Sequence, residues 1–384
     1  MSARARGRRT RWASAALALA VTVGLGYLAV RDVDLEELGE SLREMNYWWL
    51  LPALAVLAVG FFMRALRWRL LFTPGKRPAV RPTTEALLIG QFLNSVLPFR
   101  AGDAARIVAL HPLAGASRAV TTGTVVTERF FDVLSLLLLL FVALPWLPEI
   151  GWLRAAGLLA IVLTAAAVAA AVVLRVYGER PLRFVLRPLA RLPFLSGKRV
   201  EDAVRNLMHG LAGLRSARLG LVAFLWTIAS WLVLGVSFWL VMLGFDLGLS
   251  PAAGLLVVIA TGLSMILPSA PAAVGVFEAA VVVALSAYGI PQSEALSYAL
   301  VVHALNVLPF VVAGLVVLNV RRDVLSLSGR PRGPGERPGA LAGPAPARRR
   351  VRARRDGGRA GDHEHDVTQP ADRHPEVDEV REPR

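Results

Sequence analysis

Apolar stretches of about 20 residues recur along this chain of 384 residues, and nothing else in it constrains the fold as strongly. A stretch of that length crosses the hydrocarbon layer of a bilayer as a helix, because the backbone N–H and C=O groups of a helix bond to one another and need no water. The expected fold class is therefore an all-α polytopic membrane protein. Composition agrees, since 55% of residues are hydrophobic and 18% charged, against about 25% charged in a soluble domain. The net charge of +15 clusters in an N-terminal arm, one central loop and the C-terminal tail, which is a topology signal before it is a nucleic-acid signal. Without cysteine the chain has no disulfide, no thiol nucleophile and no Cys-type metal site.

Taken in order, residues 1–11 form a basic arm with five arginines and no acid, placed in the cytoplasm by the positive-inside rule. A first span follows over Trp12 to Val30, and its length argues against a cleaved signal. The Gly24, Gly26, Ala29 pattern inside it reads as close helix packing. Asp32-Val33-Asp34 opens an acidic amphipathic helix on the outer surface, with Val33, Leu35, Leu38 and Leu42 near helical spacing. A second span begins at Tyr47, Trp48 and Trp49 and ends in Arg64, Arg67 and Arg69, a basic flank on the inner side. The third span runs from about Val120 to Trp146 and the fourth from Trp152 to Arg175. A basic cytoplasmic loop over 175–218 carries ten Lys or Arg against three Asp or Glu. The fifth span covers Leu219 to Gly244 and the last Leu296 to Val320. Residues 323–384, rich in Pro, Gly and Arg, form a disordered tail.

Two apolar segments are interrupted. Gln91 to Arg106 breaks at Leu97-Pro98 and continues through Arg100, Gly102, Asp103 and Arg106, with a short helix expected from Asp103 to Leu110. Ala252 to Tyr288 breaks at Leu267-Pro268 and continues through Gly275 and Glu278. Each break has Leu-Pro, then Gly, then an acid followed by two alanines, and the basic flanks place the two dips on opposite sides. The expected architecture is about six full transmembrane helices plus two re-entrant broken hairpins in an inverted repeat, with half 1 over 12–146 and half 2 over 152–322. Paired interrupted helices are the layout of secondary transporters, whose site lies where the breaks meet.

The chemistry expected there is a charged cavity. Arg100, Arg106 and Arg129 stand against Asp103, Glu128, Asp132 and Glu278, so that three positive and four negative charges nearly cancel, with His303 available for the extra proton or hydrogen bond. Arginine offers a planar fork for phosphate, and the half-helix opening at Asp103 offers free backbone N–H groups. Both signs of charge together suit a phospholipid head group better than a simple ion. The plainer reading, that the pairs only fasten helices together, stays open at this point. No Walker sequence occurs, and the His363, Glu364, His365 and Asp366 cluster reads as tail composition, so no metal or other cofactor is called for.

NSVLPFRAGDAAR, TERFFD and LPSAPAAVGVFEAA, in that order, resemble the signature segments of the lysylphosphatidylglycerol synthase transmembrane-region family of flippase-like proteins. The likeness covers roughly Trp12 to Arg322. It implies a lipid translocase of the inner (plasma) membrane, with both termini cytoplasmic, acting on membrane phospholipids with anionic or aminoacylated head groups, beside a separate lipid-synthesising enzyme and with no nucleic-acid partner. By resemblance Asn94, Pro98, Arg100, Gly102, Asp103 and Arg106, then Glu128, Arg129 and Asp132, then Pro268, Gly275 and Glu278 fall on the family's motif positions. Ala272, Ala273, Phe277 and His303 depart from the family's usual residues. Only a tail follows the membrane part, so the chain is not expected to be an enzyme. The alternative is a membrane-embedded lipid-modifying enzyme, or an accessory scaffold of lipid or lipid-linked glycan assembly.

Overall fold

The structure, a computed structural model, describes residues 20, 22–31, 33–98, 100–177, 217–266 and 270–321. The basic arm, most of the first span, residues 178–216 of the basic loop, Pro268 and the tail lie outside the described residues. Contacts divide the chain into Met1–Ser328 and Gly329–Arg384, and every described residue belongs to the first unit.

Among the described residues the structure is helical and has no strand. In chain order the helices are α1 (22–30), α2 (Leu35–Glu44), α3 (Leu50–Leu70), α4 (Val80–Val96), α5 (Ala101–Ala114), α6 (Arg118–Ala143), α7 (Gly151–Tyr177), α8 (Ala217–Gly244), α9 (Pro251–Ser264), α10 (Val276–Ser286) and α11 (Gln292–Val320). Four stretches are long and apolar enough to cross a membrane: Tyr47–Leu70, Gly151–Ala169, Arg218–Gly244 and Gln292–Val320. At 26 residues α6 is also long enough, about 39 Å, but it carries Glu128, Arg129 and Asp132. With 14 and 11 residues, α9 and α10 reach only about 21 and 16 Å, short of a bilayer core of about 30 Å. The chain is an all-α membrane protein.

The first break lies where the sequence places it. Pro98 has no N–H to donate and pushes Leu97 out of the helical region, to φ −104° and ψ 142°. Arg100 then turns the chain in the left-handed region at φ 53°, and α5 restarts at Ala101. It begins two residues before the expected Asp103 and runs past Pro112 to Ala114, where Gly115 ends it. The two arms of this hairpin touch at glycines: a Cβ on Gly102 would stand 1.9 Å from the Gly90 carbonyl oxygen. No other residue allows that approach. In the second break Ala272 and Ala273 take φ 56° and 61°, and Gly275, at φ 79°, donates its N–H to Glu278 Oε2 at 2.6 Å. Gly275 also faces Gly26 of α1, so that glycine of the pattern packs closely, whereas a Cβ on Gly24 would meet nothing within 4 Å.

The helices of the two sequence halves pack in matching pairs. Helix α3 lies against α8, with Ser237 donating to the Ala53 carbonyl at 2.8 Å. The hairpin arm α4 packs on α11, and its counterpart α9 on α6; α5 packs on α6, and α10 on α11. Exchanging the halves maps α3–α8 onto itself, α4–α11 onto α9–α6, and α5–α6 onto α10–α11. A large apolar core joins α3, α6, α8, α9, α10 and α11, and a smaller one around Trp68, Ile89 and Leu110 joins α3, α4 and α5 to α6. The acidic helix α2 is N-capped by Asp34, and Val33, Leu38 and Leu42 pack on the core while Leu35 faces outward.

Candidate functional site

The site is assembled from the C-terminal half of α3, the first turns of α5 and the first half of α6. Glu128 and Asp132 sit one turn apart on α6, so both carboxylates point the same way. The guanidinium of Arg67, only 1% exposed, spans them: Nη2 donates to Glu128 Oε1 at 2.8 Å and Nη1 to Asp132 Oδ1 at 2.7 Å. The other oxygen of Glu128 accepts from Arg106 Nη1 at 2.8 Å. Arg106 Nη2 lies 3.3 Å from Asp103 Oδ1, and that oxygen accepts from Arg129 Nη2 at 3.0 Å. Arg129 Nη1 closes the circuit on Asp132 Oδ2 at 3.3 Å.

The result is a closed ring of alternating charge: Arg67, Glu128, Arg106, Asp103, Arg129, Asp132 and back to Arg67. Its three cations and three anions cancel. Cancellation is what lets ionised groups stay in a low-dielectric interior, where removing one partner costs about 3–5 kcal/mol. Trp68 seals one side, its ring 4.9 Å from the Arg106 guanidinium and its indole N–H donated to Thr124 at 3.1 Å.

Two further arginines stand outside the ring. Arg64 is 3.7 Å from a Glu128 oxygen that Arg67 already holds more closely. Arg100 donates from Nη1 to the Met265 carbonyl at 3.2 Å, a bond from the first break to the end of α9. Arg64 and Arg100 both line an open cavity with Arg129, Asp132 and His303. The first break supplies Arg100 to its wall and the second supplies Ala270, Ala272 and Ala273, so the breaks do meet at one space. Trp231, Phe238 and Phe277 add apolar surface to its lining, and Gln91, Asn94 and Ser95 polar surface.

In the second half Glu278 pairs with His303 Nδ1, while His303 Nε2 lies 3.0 Å from the Ala272 carbonyl oxygen. Phe277 stacks on the imidazole with centroids 4.6 Å apart. Since both neighbours of the ring accept hydrogen bonds, a proton lies between His303 and Glu278 whenever Nε2–H is given to Ala272.

Three expectations need correction. The seven charges do not form one nearly neutral group: Glu278 is drawn off to His303, and Arg64 and Arg67 join the rest, giving five arginines against three carboxylates. Arg64 and Arg67 were assigned to the basic flank, because arginines at the end of an apolar span have that meaning when their partners lie far along the chain, 61 and 65 residues away for Arg67. The signal available was the surplus acid in the charge count. Finally, the amides at the start of α5 are not all free, since Ala101 N and Asp103 N donate to Pro98 O and Arg100 O. Of the other named residues, Asn94 lines the cavity, Pro98 is exposed at the break, Gly102 holds the hairpin closed and Gly275 caps α10.

Residues 15–314 match the family model described as the lysylphosphatidylglycerol synthase TM region. The chain belongs to that family. The match contains every ring residue, the two outer arginines and the Glu278–His303 pair. A UPF0104 membrane protein of Methanocaldococcus jannaschii is 24% identical over 245 residues, which are 61% of this chain and 96% of that protein. Membership makes this a membrane protein related to lipid handling.

Proposed function

We propose that the protein is a lipid translocase, carrying a phospholipid or other lipid with a charged head group between the leaflets of the plasma membrane. The observation that carries the reading is one cavity bordered by both chain breaks and lined by arginines and aromatic rings together. A head group needs the first surface and the root of its acyl chains the second. Both termini are cytoplasmic in this reading, the hairpins dip from opposite faces, and no chemical change is made to the lipid. A separate enzyme supplies that lipid.

The test is movement of labelled lipids between leaflets in proteoliposomes, wild type against Arg100→Ala and Glu278→Ala, with the lipids analysed afterwards. Transfer lost in folded variants, with the lipid intact, supports the translocase. Chemically altered lipid would point to an embedded enzyme, and no transfer across several lipid classes to a scaffold. Opposed dips have their own check, since the chain has no cysteine. Single cysteines at Val96 and Val274, 51% and 52% exposed, should react with an impermeant thiol reagent from opposite sides. Labelling of both from one side only would exclude the inverted arrangement.

A further inference from the structure

The cavity carries a specific charge deficit. The ring consumes every carboxylate near it: Glu128, Asp103 and Asp132 are each shared between two of Arg67, Arg106 and Arg129. Arg64 and Arg100 are left over. Among the described residues Arg100 makes no ion pair at all, only its bond to the Met265 carbonyl, and the contact of Arg64 is a 3.7 Å approach to an oxygen already held by Arg67. Both line the same cavity, and so does Trp231, whose buried indole N–H has no acceptor. The buried Nε of Arg129, another residue on that wall, is likewise unpartnered. Against these donors stands one buried acceptor without a partner, Asn94 Oδ1, and turning its amide over presents a donor instead.

Two positive charges in excess beside waiting N–H donors call for an anion with two negative charges and several acceptor oxygens. A phosphate monoester is such a group: above its second ionisation, near pH 6, it carries close to two charges on three terminal oxygens, and two guanidinium forks can hold them. A phosphodiester carries one charge and neutralises one arginine only. We propose that the site selects lipids ending in a phosphate monoester dianion, over phosphodiester lipids and zwitterionic ones. This rests on the translocase reading for its transport consequence, but the binding preference is separable from it. Glu278 pairs with His303 and, among the described residues, makes no ion pair with either arginine.

The experiment is equilibrium binding to the purified full chain in neutral detergent at pH 8, using short-chain phosphatidic acid, phosphatidylglycerol with the same acyl chains, and glycerol phosphate. The expected result is a preference for phosphatidic acid over phosphatidylglycerol of about tenfold or more, shrinking at pH 5 as the monoester loses its second charge. Arg100→Gln and Arg64→Gln should each bring the two lipids within about threefold of one another while phosphatidylglycerol still binds. Arg100→Lys, which keeps the charge, should restore the preference. Equal binding of the two lipids by the wild type would overturn the proposal, and that result needs no variant to fold. Preference retained in both glutamine variants would also overturn it, as would glycerol phosphate binding as tightly as the lipid. Transfer measured on the same preparations separates the two readings. Lipid movement without monoester preference removes this inference and leaves the translocase, whereas preference without movement does the reverse.

Discussion

The two chain breaks share a scaffold and differ in electrical setting. Asp103 lies in the first turn of α5 and reaches Arg129 on α6, 26 residues on; Glu278 lies in the first turn of α10 and reaches His303 on α11, 25 residues on. Each pair ties the second arm of a hairpin to the helix that follows it. The difference comes from the neighbours. Next to the first pair, α3 contributes Arg64 and Arg67, which allow Glu128 and Asp132 to be ionised inside the protein. In the second half the counterpart of α3 is α8, which offers Thr227, Ser230 and Trp231 at its middle and no charge beyond Arg218. A lone carboxylate there is paired with a histidine. One break is therefore a ring of six paired charges, the other a single carboxylate–imidazole pair.

Opening the ring should have the largest effect. Glu128→Gln leaves Arg67 and Arg106 with one ring carboxylate each, so that three cations face two anions, and is expected to cost about 3–5 kcal/mol, read as a fall in the detergent melting temperature or loss of folded protein. Glu278→Gln removes one hydrogen-bonded partner and should cost about 1–3 kcal/mol. Equal costs would erase the distinction between the breaks. Next comes hairpin closure: Gly102→Ala drives a methyl into the Gly90 carbonyl and should destabilise by about 3 kcal/mol, seen in the same melts. Exchanging the bases sharpens the comparison further. Arg129→His leaves Asp103 and Asp132 without a fixed shared cation and should cost about 2 kcal/mol, whereas His303→Arg, which serves one carboxylate, should cost about 1 kcal/mol or less. Greater loss from His303→Arg would reverse the assignment. The smallest effect is a gain: Ala273→Gly, at φ 61°, should raise stability by up to about 1 kcal/mol in a denaturation series.

Much of the fold was legible because hydrophobic length and proline carry it directly. Leu97-Pro98 marked a true break, and the apolar runs marked helices to within a few residues. The start of α5 was misplaced because Arg100, not Asp103, turns the chain, and a left-handed arginine leaves no local signature. Its end was misplaced because Pro112 lies within the last turn and does not stop the helix. At the site, the α6 acids and the arginines of the first break were visible as charges at membrane depth. Arg67 was not, since its meaning depends on α3 packing beside α6. The proximity of the two breaks was inferred from pattern, but which charges share a ring and which are left over is a property of three-dimensional packing alone.

The left-handed residues of the breaks carry one more consequence. Arg100, Ala272 and Ala273 stand where glycine would turn freely, and each side chain removes most of the neighbouring backbone conformations that glycine would retain. These bends are stiff elbows. A chain that cannot flex at its elbows has to move its limbs whole, so any opening of the cavity falls to the contact between the halves, where α3 meets α8 along a seam bridged by Ser237 and Ala53. For the translocase proposed above, access from either side of the membrane is then expected to depend on how that seam rocks, which puts the moving contact between α3 and α8.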